Sequence, residues 1–198
     1  HTMIATGATV GNGLRPSYRV DLDTGHVAQM AAGTGIGTPR LGAATAILDG
    51  GRAMVTGGIG GGIARASAEI FDESSGGFEP APITLQEARA NHGAVTLASG
   101  DVLLVGGQNE NGLLAQTERV HFDGTSWRGV EGTTASLVQP RKNAFVLRLA
   151  DGTILVAGGS DAAGPVSLLE FFSDDATVET NVPFHARTRE AYVALDGG

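Results

Sequence analysis

The sequence predicts an all-β chain built from four copies of one four-stranded antiparallel sheet, and three observations carry that prediction. Glycine makes up 31 of the 198 residues and is scattered among short Val, Leu, Ile and Ala runs. Tight turns between short strands produce that composition; a flexible linker would gather its glycines together. A unit of about fifty residues recurs along the chain, and the two termini match complementary parts of the same unit.

The repeat is anchored by three landmarks in one register. Arg40, Arg89 and Arg141 open successive units, 49 and then 52 residues apart, and Arg189 follows 48 later. The glycine pairs ending at Gly58, Gly107 and Gly159 keep the same 49 and 52 spacing, as do Glu69, Glu118 and Glu170. Within each unit, an apolar first strand spans 43–48, 94–97 or 145–149. Asp49-Gly50, Ser99-Gly100 and Asp151-Gly152 then turn the chain, because such pairs tolerate the positive φ of a tight hairpin. Second strands at 53–56, 102–105 and 154–157 are apolar on both faces, as expected of inner strands covered on both sides. The double glycine ends that strand, and a polar loop follows (59–65, 108–115, 160–167). The third strand carries the glutamate. A turn such as Asp123-Gly124-Thr125 leads to a fourth strand holding Phe78 or Trp127, the latter expected in the core between units.

Four short antiparallel strands repeated at this period describe a propeller blade. The terminal segments supply the fourth one. Thr2-Met-Ile-Ala-Thr-Gly7 copies the second strand, Tyr18-Arg19-Val20-Asp21 the third (with Arg19 in the glutamate slot), and 26–30 the fourth. Arg189 to Gly198 reads as a first strand ending in its turn, and Leu195-Asp-Gly-Gly198 runs on into His1-Thr2 as Leu48-Asp-Gly-Gly51 runs on into its own second strand. The expected organisation is one domain, 1–198. Blade 1 comprises 189–198 with 1–38, blade 2 39–87, blade 3 88–139 and blade 4 140–188. Pairing the ends would remove two exposed sheet edges. Any fragment cut at these turns would show matching ends, so a closed four-blade ring, a segment of a larger ring and two copies sharing one ring all stay open.

The motif Ala-x-Leu-x-Asp-Gly-x-x-Leu-Val-x-Gly-Gly, followed by Glu-x-Phe-Asp and an aromatic before the next Pro-Arg, resembles the bacterial kelch repeat over essentially the whole chain. The resemblance implies a kelch-type β-propeller and an extracellular or periplasmic setting. The first residues show no signal-peptide pattern, and the abrupt start reads as that of a processed or excised domain.

Composition narrows the partners. Formal net charge is −8, from 21 acidic and 13 basic residues, with no basic run, so neither nucleic acid nor an anionic membrane is an expected partner. The absence of cysteine removes disulfides, thiolate metal sites and cysteine nucleophiles. No apolar stretch reaches the ~18 residues of a membrane-spanning helix.

Candidate binding residues fall in three groups. Arg40, Arg89, Arg141 and Arg189 would ring one channel mouth as an anion or carboxylate site. Alternatively each arginine ties blades together through its repeat glutamate, and recurrence in every unit favours this second role. Asn91 and His92 beside Arg89, with Asn143 beside Arg141, form a polar cluster near the channel, His92 serving as base or ligand. Asn109 and Asp161 in the loops offer amide and carboxylate oxygens to a sugar, peptide or hard cation. The remaining histidines, His26, His121 and His185, occupy unrelated slots and suggest no metal ring, and no cofactor or catalytic residue is assigned. The leading functional expectation is a non-enzymatic module binding a protein or glycan. The alternatives are a kelch-class sugar mutarotase-like enzyme and a structural segment of a larger or oligomeric propeller. A galactose-oxidase-like copper centre would need a cross-linked cysteine that the chain lacks.

Overall fold

The fold is all-β in a computed structural model that describes residues 2–6, 16–122, 126–129, 135–173 and 178–183. The first sheet has three antiparallel strands, β1 (Thr2–Ala5), β2 (Tyr18–Asp21) and β3 (Val27–Gln29), in that order. The second contains β4 (Ala44–Leu48) and β5 (Arg52–Thr56), then a short hairpin, β6 (Ile59–Gly60) with β7 (Ile63–Ala64), and finally β8 (Ser67–Asp72) and β9 (Gly77–Thr84). Its main strands order β4-β5-β8-β9, and the hairpin forms its own two-stranded sheet.

The third unit repeats this plan. Strands β10 (Gly93–Thr96) and β11 (Val102–Val105) precede the hairpin β12 (Gln108–Asn109) with β13 (Gly112–Leu113). Strands β14 (Thr117–Phe122) and β15 (Trp127–Gly129) complete the order β10-β11-β14-β15. The fourth sheet orders β16 (Phe145–Arg148), β17 (Ile154–Ala157), β18 (Leu168–Phe172) and β19 (Val178–Pro183). All pairings are antiparallel. The segments expected as loops at 59–65 and 108–115 thus contain hairpins, and 160–167 holds a single bridge between Ser160 and Pro165.

First and second strands are joined by three-residue turns. Leu97 N–H donates to Asp101 O at 2.8 Å and Leu149 N–H to Thr153 O at 2.7 Å, and Leu48 pairs with Arg52. Gly100 adopts φ +87°, the left-handed geometry such a turn requires of its last residue.

In the third and fourth sheets the second strands are the most covered. Every residue of β11 is buried, and β17 buries three of its four. They feed cores between successive sheets, where each large aliphatic side chain contributes about 1.5–3 kcal/mol on burial. Between the second and third sheets, Leu48, Met54, Ile83, Leu104, Val120 and Trp127 form one cluster. Between the third and fourth, Leu97, Leu103, Leu137, Ile154, Val156 and Phe172 form another. A smaller cluster, Ile36, Val55, Phe71 and Phe78, joins the first and second sheets. First strands also pack in succession, β10 against both β4 and β16.

One sequence assignment is corrected by register. Glu69, Glu118 and Glu170 lie opposite Val55, Leu104 and Val156, each two residues before its glycine pair. Ala5, two residues before Gly7, lies opposite Tyr18, not Arg19. Tyr18 therefore occupies the glutamate slot, and Arg19, one residue on, faces the other way and pairs with the exposed Glu73 at 2.7 Å. A one-residue shift moves a side chain to the opposite sheet face, which sequence spacing alone did not detect.

Candidate functional site

The three described repeat arginines are interior groups. Arg40, Arg89 and Arg141 are 8%, 1% and 0% exposed, and each meets the glutamate 29 residues later. The distances are 2.9 Å for Arg40–Glu69 and 3.4 Å for Arg89–Glu118; Arg141 bonds Glu170 in the same way. The guanidinium Nη1 also donates to two carbonyls, Gly57 and Ser67 for Arg40, Gly106 and Gln116 for Arg89, and Gly158 and Leu168 for Arg141. Each glutamate in turn accepts from two backbone N–H groups of the segment entering the unit, at Gly37 and Thr38, Gln86 and Glu87, and Val138 and Gln139.

Of the two roles expected for these arginines, the geometry fits the joint that recurrence favours and not the anion site, because burial and the glutamates consume their charge. Burial pulls the Arg89 and Arg141 guanidiniums below the usual arginine range, opposed by the Glu118 and Glu170 charges. For Glu69, burial acts upward, but hydrogen bonds from Thr38, Arg40 and Gly37 outweigh it and hold the carboxyl below its ordinary value. Arg189 lies outside the described residues.

The glycine pairs serve the same joint. Gly57 has φ +61°, and a Cβ there would overlap the Arg89 carbonyl oxygen; on Gly106 it would sit 2.7 Å from the Arg141 carbonyl oxygen. In the first two pairs the second glycine reaches across to the next unit, Gly58 N–H to Arg89 O at 2.9 Å and Gly107 N–H to Arg141 O at 2.8 Å.

Two residues after each arginine the backbone is left-handed: Gly42 (φ +68°), Asn91 (+54°) and Asn143 (+55°). Asparagine is one of the few side chains that tolerates this region. Asn91 N–H donates to Gly42 O and Asn143 N–H to Asn91 O, both at 2.7 Å, so a backbone hydrogen-bond chain links three units. Asn91 is half-buried and Asn143 exposed.

His92 follows in a slot held by Ala43 and Ala144 elsewhere. It is buried between the second and third sheets, its Nε2 2.8 Å from Thr56 Oγ1 while Nδ1 has no partner. Burial, with the Arg89 charge, lowers its pKa to about 3. Such a group is neutral at physiological pH and closed to solvent, which does not suit the base or ligand expected at this position. Thr56 escaped the sequence reading: the matching residues are Thr6, Val105 and Ala157, and only the second unit sets its threonine against a histidine, since Ala43 follows Thr6 in the His92 slot.

The surface that varies between units is the rim of hairpins. The tips β6–β7 and β12–β13 lie against one another, Glu110 accepting the Ala64 N–H. That bond and the Glu110 backbone N–H depress the Glu110 carboxyl. A cleft of about 120 Å³ between these tips is lined by Ile59, Gly62, Ala64, Gln108, Asn109 and Glu110. Lys142 Nζ donates to Gln108 at 2.9 Å, carrying the rim toward the fourth unit. Asn109 and Asp161 spend much of their polarity locally. Asn109 Oδ1 accepts the Asn111 N–H, and its Nδ2 donates to Glu87. Asp161 Oδ1 accepts from the Ala163 and Gly164 amides and Oδ2 from Gln139 at 2.6 Å, all of which lower its pKa. Among the described residues, no group of three or more histidines and carboxylates is placed to hold a metal.

A different cluster occupies the far end of the third sheet. Buried Asp101 accepts from Arg119 Nε at 2.6 Å and meets His121 Nδ1 at 2.7 Å. The corresponding positions in the second sheet are Arg52 opposite Asp72, a cross-strand pair whose acidic member stands on the other strand. It reads as sheet stabilisation.

No protein-family model matches the chain, and no curated protein matches it. Among solved structures, that of YjhT is similar, with a TM-score of 0.73 at 14% identity, over 92% of this chain and 62% of that one. The likeness concerns the fold, and the chain spans less than two thirds of the YjhT structure.

Proposed function

We propose that the chain is a kelch-type β-propeller acting as a non-enzymatic binding module, with the hairpin rim as its recognition surface for a protein or glycan. The observation that carries the reading is a division of labour. Residues that recur in the second, third and fourth units are spent on internal joints (Arg40–Glu69, Arg89–Glu118, Arg141–Glu170), whereas the unequal tips 59–64, 108–113 and 160–165 share one exposed edge. Polar Asn109, Glu110 and Gln108 beside apolar Ile59 and Ile63 suit a ligand with both hydroxyl or amide groups and an apolar face.

The propeller reading is supported by three sheets of identical strand order, the repeated joints and the likeness to YjhT. In this reading 189–198 would complete the first sheet, a closure that lies outside the described residues. Among the described residues, β1 is the outer strand of its sheet, Ile47 is 79% exposed, and a cavity of about 470 Å³ lies between β1 and β4–β5. In the next unit Ala94, the counterpart of Thr45, packs into the core. Spacing refines the assignment. Arginine precedes the last paired residue of the first strand by eight positions in each described unit (40 to 48, 89 to 97, 141 to 149). The same spacing before Leu195 selects Arg187, and Arg189 then falls in the slot of Gly42, Asn91 and Asn143.

The test is a glycan and peptide array read with the wild type and an Asn109→Ala/Glu110→Lys variant. Hits lost in the folded variant are expected. An array without hits, or hits the variant leaves intact, overturns the proposal.

A further inference from the structure

The joints between successive sheets are nearly copies of one another, and the exception lies at Thr56 and His92. Between the third and fourth sheets the equivalent pair is Val105 and Ala144, both apolar. Between the second and third, Thr56 Oγ1 and His92 Nε2 meet at 2.8 Å in a buried setting, and Nδ1 is enclosed without a partner. The surroundings are tight: a Cβ on Gly57 would come 2.7 Å from His92 Cε1, and one on Gly107 2.7 Å from His92 Cβ.

We propose that this pair is an acid-operated latch, and that protonating His92 loosens the joint between the second and third sheets while the next joint stays closed. An imidazolium needs acceptors for both ring N–H groups and a counter-charge; Thr56 Oγ1 can accept from Nε2–H, but Nδ1–H meets no acceptor and no uncommitted carboxylate is at hand. On its own segment stands Arg89, a like charge. From the β5 side, Arg40 holds the Gly57 carbonyl and is neutralised by Glu69. From the β14 side, Glu118 is committed to Arg89 and to the Gln86 and Glu87 amides. A charged His92 is therefore accommodated only by opening the joint toward water.

The direction follows from linkage. His92 titrates at about 3 in the folded chain against about 6.5 when exposed, so the stability tied to its neutral form is complete above pH 6.5 and is lost as pH falls from there toward 3. The glycines packed on His92, Gly57 and Gly107, lead directly into β6 and β12, so opening the latch would reshape the rim. The latch itself stands whatever binds there.

Four backbone amides report on it. Gly58 and Asn91 donate across the second-to-third joint, and Gly107 and Asn143 across the third-to-fourth. Hydrogen exchange at pH 8 and pH 5, corrected for intrinsic chemistry, should show protection at Gly58 and Asn91 falling by as much as about thirtyfold, with Gly107 and Asn143 unchanged. The Thr56→Val/His92→Ala variant copies the apolar joint and should lose this dependence. His92→Gln, which keeps a polar group toward Thr56 without titrating, should lose it too and serves if the double variant does not fold. Equal protection at both pH values in the wild type overturns the proposal, as does a drop that persists in the folded variants.

Discussion

Replacing Glu118 by glutamine tests whether the arginine–glutamate pair is a staple in the energetic sense. The substitution keeps the side chain's shape and an acceptor for the Gln86 N–H, now 2.8 Å away, but removes the charge. The Arg89 guanidinium, 1% exposed, would then lie buried without a counter-ion. Breaking one partner of such a pair costs about 3–5 kcal/mol. For a chain of this size, about 2–4 °C of Tm accompanies each kcal/mol, so Tm should fall by roughly 6–20 °C. Arg89→Met should cost a similar amount, since it leaves Glu118 unpaired and removes the donor from the Gly106 and Gln116 carbonyls.

The Arg89→Met/Glu118→Leu variant separates charge from hydrogen bonding. It removes both charges but leaves two amides and two carbonyls short of a partner, at about 1–3 kcal/mol for each one left buried. It should therefore be less damaging than the two single losses added together, yet not neutral. Urea denaturation followed by two probes, with the m-value checked for constancy, measures all three. A change below about 1 kcal/mol for either single variant would refute the staple, because a buried uncompensated charge cannot be that cheap.

Other outcomes follow from neighbouring residues. Gly57→Ala places a Cβ against the Arg89 carbonyl at φ +61° and should cost about 2–5 kcal/mol, whereas Gly61→Ala, at φ +71° with open space around it, should cost only about 1–2; urea midpoints compare them. Asn143→Gly should be nearly neutral and Asn143→Ala should cost about 1 kcal/mol, since the left-handed backbone excludes alanine and not glycine; thermal melts decide. The Glu69 carboxyl is held below its ordinary pKa, so its contribution is complete above about pH 4.3 and is lost as pH falls further. Acid titration of stability should be shallower below that pH in Glu69→Gln than in the wild type.

Periodic features were legible in the sequence because each unit solves the same local problem. Strand runs, turn dipeptides and glycine pairs depend on backbone geometry that neighbours in the chain impose, so counting residues located them. The arginines and glutamates were found for the same reason, and their recurrence favoured a joint over a ligand site without deciding it. That choice depends on burial, a property of the sheets stacked around them. Tyr18 in the glutamate slot was hidden because register across β1 and β2 is set by pairing, and one residue of error leaves the spacing plausible. Thr56 went unnoticed beside His92 because the two are 36 positions apart and belong to different sheets.

Sequence by itself thus determined the repeat, the strand succession within each unit and the residues that every unit shares. Repetition writes those into the chain many times over. Only the tertiary structure decided which shared charges are consumed inside, which asparagines take the left-handed backbone, and where a single histidine is shut between two sheets. Those outcomes arise where separate units meet, and the desolvation, counter-charges and close backbone approaches that govern them exist only once the sheets are packed.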